Sequence, residues 1–166
     1  MSILFSIPII VILLIIQTTI ARQVTLISGS VDLVLIWLAA WGLKSRDNSG
    51  YYLAVIAGLL VAYITALPWY VYLTTYFSVI IIAKLIIQRQ WQSPLLSMFF
   101  ITLVSSILLY GLTVTALSLS DVSFHLIGAI DTIIIPSVFL NLFLSIPVYV
   151  IVKDFSNWIY RSKEVT

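Results

Sequence analysis

The chain has no cysteine, one histidine, six acidic residues and a charged fraction of 8% over 166 residues. The missing cysteine excludes disulfides, thiol nucleophiles and thiolate metal sites. His125 has neither a second histidine nor a thiol to complete a zinc site, so no metal is expected. The sole glutamate, Glu164, lies near the C-terminus. The chain contains no H-E-x-x-H, G-x-S-x-G, P-loop or glycine-rich nucleotide fingerprint. Hydrolysis and phosphoryl transfer need convergent acids, bases or phosphate-binding amides, and the sequence offers none. It therefore reads as a non-enzyme without a cofactor. A net charge of +2, with the basic residues spread between apolar runs, gives no basic patch for nucleic acid.

Scarcity of charge also decides the solvent. Soluble domains carry roughly 25% charged residues, whereas this chain is 62% hydrophobic. Folded in water, it would expose apolar patches that soluble monomers rarely tolerate. A bilayer removes that conflict, and at about 20 residues per spanning helix the length allows six spans joined by short loops. The expected fold is all-α and integral to the membrane, a six-transmembrane-helix bundle forming a single domain.

Apolar runs extend over Ile3 to Ala21, Val31 to Leu43, Tyr51 to Ala66, Trp69 to Ile87, Leu95 to Leu117 and Leu126 to Val152. The first is read as a retained helix, since no basic residue precedes it and it ends without an A-x-A type cleavage site. Six spans put both termini on one side. Lys44, Arg46, Lys84, Arg89, Lys153, Arg161 and Lys163 fall on that side, with Arg22 alone opposite. The positive-inside rule makes the common side cytoplasmic, giving an N-in/C-in topology. Tyr51, Tyr52, Trp91 and Trp158 suit the inner interface, and Trp69 and Tyr70 the outer one.

Two spans depart from the ordinary. The second is 13 residues long from Val31, with Ser30 as its expected N-cap, and reaches only about 20 Å. The polar stretch before it must then dip inward against protein or a wet recess on the outer face, because unsatisfied backbone cannot face lipid. The last span carries Pro136 and Pro147, which free the carbonyls of Thr132 and Phe143 and should bend it. Beyond it, Lys153 to Lys163 sets Phe155, Trp158 and Ile159 among charges and is expected to lie along the inner interface.

Several residues are candidates for packing or binding. Ala54, Gly58, Ala62 and Ala66 recur every four residues and form a small-residue stripe, read first as internal helix packing and alternatively as a dimer face. Thr102, Ser106, Tyr110 and Thr113 form one polar stripe, and Ser137, Asn141 and Ser145 another. Both fit interhelical hydrogen bonding or the wall of a small cavity. Intramembrane carboxylates carry a functional expectation. Asp32 sits at the start of a short helix, where the dipole favours its charge and Arg22 is a candidate partner. Asp131 lies deeper, one turn before Pro136. Asp32, Asp131 and Asn141 are the cavity candidates, and Trp37 with Trp41, one turn apart, is the candidate docking face.

With these features in place, the chain resembles the rod shape-determining protein MreD family over most of its length. The stretches that carry the likeness are Gly29 to Lys44 (GSVDLVLIWLAAWGLK), Ala57 to Pro68 (AGLLVAYITALP), Gln88 to Phe99 (QRQWQSPLLSMF) and Ile135 to Asp154 (IPSVFLNLFLSIPVYVIVKD). Ala62 stands where family members commonly have aspartate, and Trp69 and Tyr70 where a glycine often follows the proline. No role of that acidic position carries over. The resemblance implies a multi-pass protein of the bacterial cytoplasmic (inner) membrane, a non-enzymatic component of the elongation machinery that organises peptidoglycan synthesis and rod shape. It implies MreC as partner, the elongation transpeptidase and the RodA glycosyltransferase directly or through MreC, and contact with membrane lipid. The family is similar in its six-helix fold to the substrate-binding subunits of energy-coupling-factor vitamin transporters. A subunit of that kind is the alternative reading, although Ile7 to Ile20 lacks the A-x-x-x-A pattern such subunits use against their scaffold protein.

Overall fold

The computed structural model describes residues 2–23, 29–44, 48–89, 93–120 and 126–161. Thr25, Ser28, Arg46, Trp91, His125, Lys163 and Glu164 lie outside the described residues, as do the side chains of Arg22, Trp158 and Ile159. Helices make up nearly all that is described, and no strand occurs among the described residues. They are α1 (Ser2–Gln23), α2 (Leu33–Lys44), α3 (Ser49–Ile64), α4 (Trp69–Gln88), α5 (Pro94–Leu119), the short α6 (Leu126–Ala129), a π-helical turn over Ile130–Ile134, and α7 (Ile135–Arg161). Among the described residues, three stretches are long and apolar enough to cross a membrane: Trp69–Gln88, Pro94–Leu119 and Ile130–Asn157.

The centre of the bundle is α2. Its sequence is apolar on every side, so it has no solvent face to present, and every residue from Val34 to Gly42 is buried. It packs against α7, α4 and α5 and also touches α1 and α3. Twelve residues span only about 18 Å, so α2 is an internal post shorter than the roughly 30 Å hydrocarbon layer. Trp37 and Trp41 stack with centroids 5.3 Å apart and planes 12° apart, and Phe155 of α7 meets Trp41 at 6.3 Å.

Close approach is set by glycine at two crossings. A Cβ on Gly58 would lie 3.0 Å from Leu73 Cα, so the α3 backbone rests on α4, the partner it packs against most extensively. A Cβ on Gly42 would lie 2.8 Å from the Ala83 Cβ, joining α2 to α4. Ala54 is buried with Gly58, Ala62 is half-buried, and Ala66 is exposed and lies beyond the end of α3. The helix stops because Thr65 turns extended and Pro68 disfavours the helical conformation of Leu67. Of the stripe expected to reach Ala66, Gly58 makes the close approach to α4, and Ala66 lies outside the helix. Replacing Gly58 by leucine is expected to separate α3 from α4, since the obstructing atoms are backbone. A lower unfolding midpoint in mixed micelles, with Gly58→Ala intermediate, is the check.

The bounds of two helices and the cap of one also differ from expectation. Helix α2 begins at Leu33 rather than Val31, and Asp32 rather than Ser30 caps it, its carboxylate accepting from the Leu35 N–H at 2.9 Å. Helix α7 extends past the expected end at Val152 to Arg161 and carries Phe155 against the core. Before Pro136 the helix widens into the π-helical turn, where the Ile135 N–H bonds the Ile130 carbonyl five residues back.

The two ends of the bundle differ chemically. A recess of about 230 Å³ brings together Leu43, Lys44, Ile86, Pro94 and Tyr149, so the C-terminal end of α2 and the ends of α4 and α5 that face each other share one end. Lys44 and Arg89 are at this end. The opposite end holds the candidate site.

Candidate functional site

At that opposite end, residues 29–32 run in non-helical conformation into the bundle before α2 begins. Buried backbone outside a helix must find partners, and here the two polar stripes supply them. The Ser30 N–H donates to Ser137 Oγ at 2.8 Å, and the Asp32 N–H donates to Asn141 Oδ1 at 2.9 Å. Tyr110 Oη donates to the Ser30 carbonyl at 3.3 Å. Asn141 Nδ2 then donates to Ser106 Oγ at 3.0 Å, tying α7 to α5. Gly29 makes the approach possible, since a Cβ there would lie 2.8 Å from Ser137 N and 2.9 Å from Pro136 Cβ.

Asp32 is the junction of this arrangement. Its residue is 4% exposed, and Tyr76 Oη donates to both carboxylate oxygens at 2.9 Å. Gln17 of α1 accepts from the Val34 N–H at 3.5 Å, a second contact for the first turn of α2. The free amides that open every helix are thus met by one carboxylate and one amide. All the donors that reach Asp32 in the described structure are neutral.

Above Asp32 is a cavity of about 260 Å³. Its polar lining comes from Gln17, Ser30, Asp32, Tyr72, Tyr110 and Thr113, and the remainder is aliphatic, including Leu109, Val114 and Ile133. Tyr72 packs edge-on to Tyr76 at 5.8 Å, so the ring that lines the cavity rests on the ring that holds the carboxylate.

Of the cavity candidates, Asp32 lines the cavity, Asn141 bonds the Asp32 N–H without lining it, and Asp131 does not line it. Asp131 is exposed and lies in the π-helical turn, while its neighbours Ala129, Ile133 and Ile134 line the cavity. A π turn contains an extra residue relative to the α-helix, and Asp131 stands within it. Trp37 is 4% exposed and Trp41 fully buried, which removes their expected docking face. The residues not anticipated are Tyr76, Tyr72 and Gln17. Each sits in an apolar run where a single polar or aromatic residue gives no sign of which element it will meet.

The polar stripes are not completely used. Ser145 and Thr113 bond back to carbonyls of their own helices. The hydroxyls of Thr102 and Ser105, together with Trp41 Nε1, are buried without a hydrogen-bond partner. No group of three or more potential metal ligands occurs among the described residues.

Fold and site together define an all-helical protein of apolar helices built around a capped, buried carboxylate. Comparison with family models, curated proteins and solved structures finds no match to this chain.

Proposed function

We propose that the protein is a non-enzymatic component of the bacterial elongation machinery, of the MreD kind. In this reading it docks MreC in the inner membrane and, directly or through MreC, the elongation transpeptidase and RodA. All six principal helices lie across the bilayer with both termini inside, and the segment before α2 completes the path that its twelve residues leave short. Partner and pathway are carried by the sequence resemblance. The structural observation supporting a docking role is how the polar interior is used. Asp32, Tyr76, Ser106, Ser137 and Asn141 all hydrogen-bond one another or the backbone before α2. These groups hold the fold, and apolar surface remains for partners.

We place the partner helix in the groove between α5 and α7, about 270 Å³ in volume and lined by Leu96, Phe99, Leu103 and Leu142 among others. Lipid competes for such a surface without a hydrophobic penalty, so affinity must come from close packing. Co-purification in detergent with tagged MreC from the same organism tests the reading. A stable complex is expected, with recovery reduced several-fold by Leu96→Ala plus Leu103→Ala. A complex indifferent to those substitutions moves the docking face elsewhere, and no complex at all removes MreC as partner. One observation favours a second reading as a vitamin-transporter subunit, namely the cavity over Asp32. Recovery of a vitamin or a transporter scaffold in place of MreC would establish it.

A further inference from the structure

We propose that the cavity above Asp32 binds a primary ammonium group carried on a small, largely apolar body. The inference stands apart from the docking reading and rests on what the cavity contains. Its one ionisable acid, Asp32, is held in place by the neutral donors Tyr76 Oη and the Leu35 N–H. No basic side chain lines the cavity among the described residues. A carboxylate in an apolar setting is expensive unless a cation joins it, and Asp32 lines the cavity.

The rest of the lining fits an ammonium better than other guests. Tyr72 and Tyr110 bring aromatic rings to the wall, and ring faces attract ammonium ions. Thr113 and Gln17 add neutral oxygens that accept N–H donors. A calcium ion would demand six to eight oxygens, and no acidic cluster exists among the described residues to supply them. An anion would meet a carboxylate and, among the described residues, no positive charge. The volume, about 260 Å³, falls just below the roughly 300–1,000 Å³ of cavities that take drug-sized ligands. The aliphatic walls call for an apolar body behind the charge. Two sources carry this chemistry: a free aliphatic or aryl amine, and the ethanolamine headgroup of a phospholipid.

The test uses the full chain in nanodiscs of phosphatidylglycerol, titrated with phenethylammonium chloride and, separately, with the neutral analogue 2-phenylethanol. A saturable rise in the unfolding midpoint is expected with the amine and not with the alcohol. Asp32→Asn retains a side-chain oxygen of equal capping ability and removes the charge, so it should weaken amine binding at least tenfold. Tyr72→Leu leaves the cap untouched and should weaken the amine several-fold, which keeps the proposal open to refutation if Asp32→Asn does not fold. Replacing half the lipid by phosphatidylethanolamine separates the sources. A stabilisation that competes with the amine assigns the site to the headgroup, and an amine response unaffected by that lipid assigns it to a free amine. The proposal is overturned if amine and alcohol act alike, or if Asp32→Asn or Tyr72→Leu, whichever folds, binds the amine normally. It is equally overturned if the amine binds only after Arg22→Gln, because the guanidinium would then be the occupant.

Discussion

Trp41→Ala is expected to lower the stability of the bundle by about 3 kcal/mol, the bottom of the range for truncating a buried tryptophan in a soluble core. The full range combines the transfer of the side chain from water with the void it leaves. A chain that unfolds within lipid never returns the indole to water, so the transfer part shrinks and the void part stays. That void would be central, because Trp41 is fully buried, stacks on Trp37 and meets Phe155. One effect acts in the opposite direction. Trp41 Nε1 is buried without an acceptor, and removing an unsatisfied donor returns about 1 kcal/mol. Trp41→Phe retains a ring without the N–H and should shift stability by less than about 1 kcal/mol. Unfolding in mixed micelles by sodium dodecyl sulfate gives both values. If Trp41→Ala left the midpoint unmoved but reduced recovery of MreC, the indole would be a docking side chain after all.

That pair shows where sequence reasoning reaches and where it stops. Spacing of one turn put Trp37 and Trp41 on one face, and they do stack. Which way the face points was not legible, because α2 is apolar all round and periodicity has no polar side to reject. Length was more informative than pattern. A run too short to cross the hydrocarbon layer required its preceding backbone to find partners inside, and residues 29–32 do so. The partners themselves lie 80 to 109 residues away on α5 and α7, and only the presence of two polar stripes hinted at them. Asp131 is singled out in the sequence as a carboxylate inside an apolar run, and nothing in that run announces the π-helical turn over Ile130–Ile134 in which it stands exposed. The end of α3 was readable in principle, as Pro68 restrains the residue before it. A small-residue stripe that keeps its period through Ala66 hides that signal.

Asn141→Leu is expected to destabilise the bundle by about 3 kcal/mol, and Ser106→Ala by only about 0.6 kcal/mol, although both touch the same hydrogen bond. Asn141 makes two bonds, accepting from the Asp32 N–H at 2.9 Å and donating to Ser106 Oγ at 3.0 Å. Hydrogen bonds between membrane helices average about 0.6 kcal/mol because the separated helices find other partners. Ser106→Ala removes one bond of that kind. The Asp32 N–H is different, being a backbone donor in a non-helical segment, buried, with Asn141 Oδ1 as its acceptor. Leucine fills similar space and accepts nothing, so the N–H bears the full penalty of an unsatisfied buried donor, about 1–3 kcal/mol, in addition to the lost bond to Ser106. Relief would require the segment to withdraw from α7, which also breaks the Ser30–Ser137 contact and moves the Asp32 carboxylate at the cavity floor. Asn141→Leu should therefore impair amine binding as well as stability, while Ser106→Ala leaves binding within about twofold. Equal, small effects of the two substitutions on the unfolding midpoint would mean that water entering the cavity satisfies the Asp32 amide, and that the polar stripe of α7 lines a wet site more than it anchors the segment before α2.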